Sequence, residues 1–143
     1  MGYIIRGVAV VLLLSFAQGA SADDQASLPF SKAVRVGDML YLSGELGATP
    51  GSMALVPGGI GPETRQTMDN IKATLEANGS DMHHVVKCLV MLADIGEWAE
   101  MNEVYRTYFK PGRYPARSAL GASGLALGAR VEIECIAQVK EES

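Results

Sequence analysis

The chain has no run of lysines and arginines, no glycine-rich phosphate loop, no G-x-S-x-G element and no histidines and cysteines at metal-ligand spacing. Each absence removes a class of function. Without clustered cations nothing neutralises a phosphate backbone, so no nucleic-acid partner is expected. Phosphate-loop and nucleophile-elbow chemistries have no motif to rest on. His83 and His84 are adjacent and lack companion ligands, so they read as a solvated turn and no metal is expected. Only two cysteines are present, Cys88 and Cys135, too few to define a disulfide framework. Both fall in predicted strands, where buried free thiols are common; free thiols are favoured, with a bridge left open.

Long hydrophobic runs are also scarce. The main one, Val8 to Ala17, is shorter than the roughly 20 residues that span a bilayer. It follows Arg6 and precedes Ala20-Ser21-Ala22, a small-residue A-x-A exit. That layout is a secretory signal peptide over residues 1–22, with residues 23–143 as the mature chain. A periplasmic or secreted protein with no stable membrane association after cleavage is expected. Cleavage removes one arginine and no acid, so the net charge of −4 becomes −5. The acidic excess favours solubility, and one domain of this length can build a core.

What is present alternates strands and helices. Lys32–Val36 and Met39–Gly44 place Val34, Val36, Leu40 and Leu42 at period two around Gly37-Asp38, a two-residue hairpin turn. Residues 47–61 are rich in Gly, Pro and Ser and read as a long loop. A helix starts at Pro62 with Glu63 beside its positive end, buries Met68, Ile71 and Leu75, and stops at Asn78-Gly79. Val85–Leu92 is short and almost wholly apolar, which suggests a central strand covered on both faces. Asp94 and Glu97 form a capping-box-like start for a second helix carrying Trp98, Met101, Tyr105 and Tyr108, ended by Pro111-Gly112. Strands near Arg113–Leu120 and Ala129–Val139 complete a β-β-α-β-α-β-β order. This is an α+β domain with helices on one face of a mixed sheet. Two helices leave the other face bare, so oligomerisation through it is expected.

Few residues carry chemistry. Arg117 sits between the small residues Ala116 and Ser118, and its guanidinium offers paired donors that match a carboxylate. Glu132 and Glu134 are at period-two spacing and share one face, with Ile133 and Cys135 on the other. A carboxylate near an arginine-bound substrate can take a proton from water. By chemistry alone an ordinary Arg117–Glu132 ion pair on neighbouring strands is the simpler reading. Asn102 defaults to a helix-surface amide. Ser43-Gly44 is either a plain strand end or a place of close ligand approach. Trp98 and the methionines read as core.

The segments PFSKAVRVGDMLYLSGELG, TRQTMDNIKATLEANG, VVKCLVMLADIGEWAEMNEVYRTYF, YPARS and GARVEIECIA together resemble the RidA/YjgF/UK114 family, from Pro29 to Val139. The resemblance implies a chorismate-mutase-like fold, a homotrimer with clefts between subunits, and hydrolysis of enamines and imines such as 2-aminoacrylate to 2-keto acids and ammonia, without cofactor or metal. It implies that Arg117 grips the substrate carboxylate and that Glu132 positions and activates water. Phe30, Ser43, Gly44, Glu45, Asn102 and Ala119 would line the substrate site, with Gly44 offering backbone contacts. Three positions depart from the usual pattern: Phe30 replaces a tyrosine, Ala119 a cysteine, and Leu125-Ala126 a Leu-Pro. They imply altered substrate preference. The alternatives are a non-catalytic trimer that binds small carboxylates and a stress-activated holdase.

Overall fold

Two stretches of period-two apolar sequence pair first. β1 (Ala33–Val36) and β2 (Met39–Leu42) form an antiparallel hairpin whose turn glycine, Gly37, has φ +62°. That left-handed geometry is cheap only without a Cβ. A computed structural model describes residues 28–141, so the signal-peptide expectation for residues 1–22 lies outside the described residues. After β2 come β3 (Glu45–Leu46), α1 (Ile60–Ala77), β4 (Val85–Leu92), α2 (Trp98–Tyr105), β5 (Ala116–Gly121) and β6 (Val131–Gln138).

The strands make one mixed sheet in the order β1-β2-β6-β4-β5, with β3 also pairing β6. Among the described residues only β4 and β5 run parallel. Such a pair needs a crossover, and α2 supplies it. β2 and β3 pair successive parts of β6, Tyr41 opposite Ile136 and Glu45 opposite Ile133. The β2–β3 side therefore carries one residue more than β6 over that interval. This is a β-bulge, and Gly44 lies in it.

Both helices cover one face. Met68, Ile71 and Leu75 of α1 and Met101 of α2 are fully buried against Leu40, Val90, Leu92, Val131 and Ile133. Met68, Ile71 and Leu75 lie where their helical spacing puts them. α1 starts at Ile60, two residues before Pro62, and the loop ahead of it holds an isolated bridge between Ala48 and Leu55. Asn70 of α1 fastens that loop by donating to the Leu46 and Ala48 carbonyls at 2.9 Å each. Glu63 does more than complement the helix dipole. Its Oε1 lies buried and accepts from the Arg130 backbone N–H at 2.6 Å, which anchors the entry to β6.

Three expectations are corrected here. β4 is covered on one face only: Cys88, Val90 and Leu92 are buried, whereas Leu89 and Met91 are half-exposed within one chain. The second helix is shorter than its apolar spacing suggests, with a tight turn at each end. Its capping box is also incomplete: Asp94 accepts from the Gly96 N–H at 2.8 Å, while Glu97 instead pairs with Arg130. Finally, Cys88 and Cys135 are joined in a disulfide. They are register partners on β4 and β6 and both face the core, so the ladder itself brings the two sulfurs together.

Candidate functional site

The predicted site residues fall into two groups. The first lies on the helix side of the sheet, at its β5 edge. Arg117 is the register partner of Cys88, which faces the core, so the arginine extends under α2. Its Nη1 donates to Asn102 Oδ1 at 2.7 Å. The guanidinium carbon lies 4.7 Å from the Tyr105 ring centre and 5.8 Å from that of Trp98. Ala119, two residues along β5 on the same face, packs against the core. Asn102 is thus no idle surface amide. Nor is Trp98 a core residue: it is 44% exposed.

Arg117 is half-buried, and its hydrogen-bond partner is a neutral amide. Among the described residues it takes part in no salt bridge with a carboxylate. A guanidinium withdrawn from water and left without a counter-charge is unfavourable unless an anion arrives. Its remaining donors suit a planar carboxylate.

The second group lies on the bare face. Glu132 pairs in register with Met91 on one side and Leu46 on the other. Gly44 touches its side chain: a Cβ on Gly44 would stand 2.9 Å from Glu132 Cδ. Partial burial, and next the negative charge of Glu134, push the Glu132 carboxyl above the usual carboxylate range. A carboxylate so tuned is a better proton acceptor. The Ser43 hydroxyl donates to the Ser31 carbonyl at 2.6 Å, which holds the segment carrying Phe30 beside the bulge. Phe30 itself is 54% exposed. Glu45 points the other way. It is buried on the helix side, where Lys32 Nζ and Thr74 Oγ1 bind its carboxylate at 3.2 and 3.0 Å, and that makes it a fastener between sheet and α1.

The ion pair between Arg117 and Glu132 on neighbouring strands does not exist. β4 separates their strands, and their side chains leave opposite faces. Among the described residues no group of His, Cys, Asp and Glu is placed to hold a metal ion, and no helix is long and apolar enough to cross a membrane. Sequence reading missed the partnership of Trp98 and Tyr105 with Arg117. Their spacing with Asn102 on one helical face was the available signal.

This architecture and these residues define a known class. The model of the family described as Endoribonuclease L-PSP matches residues 21–139. The chain belongs to that family, the RidA/YjgF/UK114 family its motifs resemble. It is 46% identical over 109 residues to the 2-iminobutanoate/2-iminopropanoate deaminase of Mus musculus, covering 76% of this chain and 80% of the relative. The protein of the same name from Bos taurus is 47% identical over 109 residues, with 76% and 79% covered. Among solved structures, the yeast protein YEO7 superposes with a TM-score of 0.76 at 39% identity, covering 80% of this chain and 90% of that one.

Proposed function

We propose that this chain hydrolyses short 2-imino acids to 2-keto acids and ammonia. The observation that carries the reading is Arg117: a half-buried guanidinium, held by a neutral amide, that lacks an anion among the described residues. The named activity of its relatives supplies the chemistry. Arg117 pairs with the substrate carboxylate. Glu132 accepts a proton from water as the water oxygen bonds to the imine carbon and the C=N π electrons move to nitrogen. Returning that proton to nitrogen gives a carbinolamine. Glu132 then takes the hydroxyl proton and passes it to the amine, so the carbonyl forms as the C–N bond breaks and ammonia leaves. Gly44 gives the reacting centre close access to backbone beside Glu132.

Two groups on opposite faces of one sheet cannot touch one molecule of a few carbons. The proposed site therefore takes Arg117, Asn102 and Ala119 from one copy and Phe30, Ser43, Gly44 and Glu132 from a neighbour. Glu45, tied to Lys32 and Thr74, is proposed only to support Gly44. The bare face supports assembly: Val34, Val36, Tyr41, Val86 and Leu120 are large apolar residues exposed on or beside it. A closed ring of three buries such a face without leaving it open to aggregation. Export to an oxidising compartment is proposed as well, because the Cys88–Cys135 disulfide persists best there and the N-terminal pattern is that of a signal peptide.

The test is direct. Short imines released in situ by an amino-acid oxidase should decay faster with the protein. Arg117→Ala should lower that acceleration by about a hundredfold, as loss of one partner of a desolvated charge pair does. Unchanged decay across 2-imino acids of several side chains would remove the enzymatic reading and leave a carboxylate-binding protein.

A further inference from the structure

Arg117 is held from three sides by one helix. Trp98, Asn102 and Tyr105 are spaced four and three residues apart, which puts them on one face of α2. Asn102 Oδ1 takes one Nη1 hydrogen at 2.7 Å. The two rings lie 5.8 and 4.7 Å from the guanidinium carbon, within the range of cation–π attraction. Tyr105 is itself braced by Phe109, ring centre to ring centre 5.0 Å. Its hydroxyl is buried without a hydrogen-bond partner among the described residues, and its contact with Arg117 is made by the ring.

We propose that the Trp98/Tyr105 pair is a positioning cradle: it fixes the plane of the Arg117 guanidinium so that the edge not bound to Asn102 meets a substrate carboxylate. Neither ring need touch the reacting atoms. An arginine side chain loses much rotamer freedom when it is fixed, and a prebuilt cradle shifts that loss from substrate binding to folding. The cradle rests on the reading of Arg117 as a carboxylate anchor, but not on catalysis.

Binding of a stable 2-keto acid, 2-ketobutyrate, measured by calorimetry on the assembled protein, reads it out. Removing one ring should weaken binding roughly tenfold, from the size of a partly buried cation–π contact. Tyr105→Phe and Trp98→Phe keep a ring and should bind within about twofold of wild type. Tyr105→Leu and Trp98→Ala should lose the tenfold, and in turnover the loss should fall on KM more than on kcat. Trp98 is exposed enough for Trp98→Ala to fold even if Tyr105→Leu does not. A Trp98→Ala protein with a wild-type melting profile and wild-type affinity would overturn the cradle. So would equal losses in the ring-keeping and ring-removing variants. If no imine is hydrolysed but the ring-removing variants still bind 2-ketobutyrate more weakly, the catalytic reading falls and the cradle stands.

Discussion

Arg117 leaves the helix-side face of β5 and Glu132 the bare face of β6, with β4 between them. A cleft that uses both must draw them from different copies, and this can be checked by mixing. Arg117→Ala and Glu132→Gln proteins should each be nearly inactive alone. Unfolded together and refolded, they should regain about a quarter of wild-type activity, because in a closed ring a quarter of the interfaces would pair an intact arginine with an intact glutamate. No regained activity in properly assembled mixtures would show that each chain works with its own pair.

In the proposed mechanism Glu132 sets the pH dependence. Protonated, it cannot take a proton from water, so the rate should fall as pH drops through its pKa. Partial burial and the Glu134 charge both raise that pKa, so the acid limb should stand at higher pH than an ordinary glutamate gives. Glu134→Gln removes the second cause and should move the limb of the rate profile to lower pH. Stability runs the opposite way. A raised carboxyl pKa contributes stability that is fully present below the unfolded value and lost as pH rises through the folded one. Glu134→Gln should lessen that loss in melts taken across the same range.

Gly44→Ala should cost activity far more than its single methyl suggests. The new Cβ meets the Glu132 carboxyl group and has no room unless that side chain moves. A drop in kcat of roughly tenfold to a hundredfold is expected, the scale of a misplaced catalytic group. A variant with wild-type kcat would show that the bulge does not position Glu132.

The Cys88–Cys135 bridge closes a 47-residue separation deep in the core. By chain entropy alone such a link is worth about 4 kcal/mol. The Cys88→Ala/Cys135→Ala double variant should therefore unfold at markedly lower denaturant. Both sulfurs are out of reach of solvent, so reductant and alkylating agent should label them only after unfolding, as mass spectrometry would report. Labelling of the folded protein would contradict the closed core seen here.

Tyr41→Asp and Leu120→Asp place a charge on the bare sheet face, where both side chains are exposed in the single chain. If this face joins copies, sedimentation should show a smaller species, and imine turnover should fall with it even though neither residue belongs to the proposed site. An unchanged mass would place the interface elsewhere.

Local pattern made much of this molecule legible. The bounds of β4 follow from its short apolar run, and the Met68/Ile71/Leu75 stripe and the shared face of Glu132 and Glu134 follow from periods of 3.6 and 2.0 residues read along a few neighbours. The two-residue strand β3 was not legible, because its pairing depends on where β6 lies and on a bulge that no period announces.

The site divides in the same way. Residue types alone single out a guanidinium beside small neighbours and two carboxylates in alternation, since charge and hydrogen-bonding capacity belong to the side chain itself. Three further features wait on tertiary structure: the face Arg117 leaves from, the meeting of Cys88 with Cys135, and the approach of Trp98 on α2 to Arg117. A one-residue slip in register would send Arg117 or either cysteine to the other side of the sheet, and register is set by contacts between segments far apart in the chain.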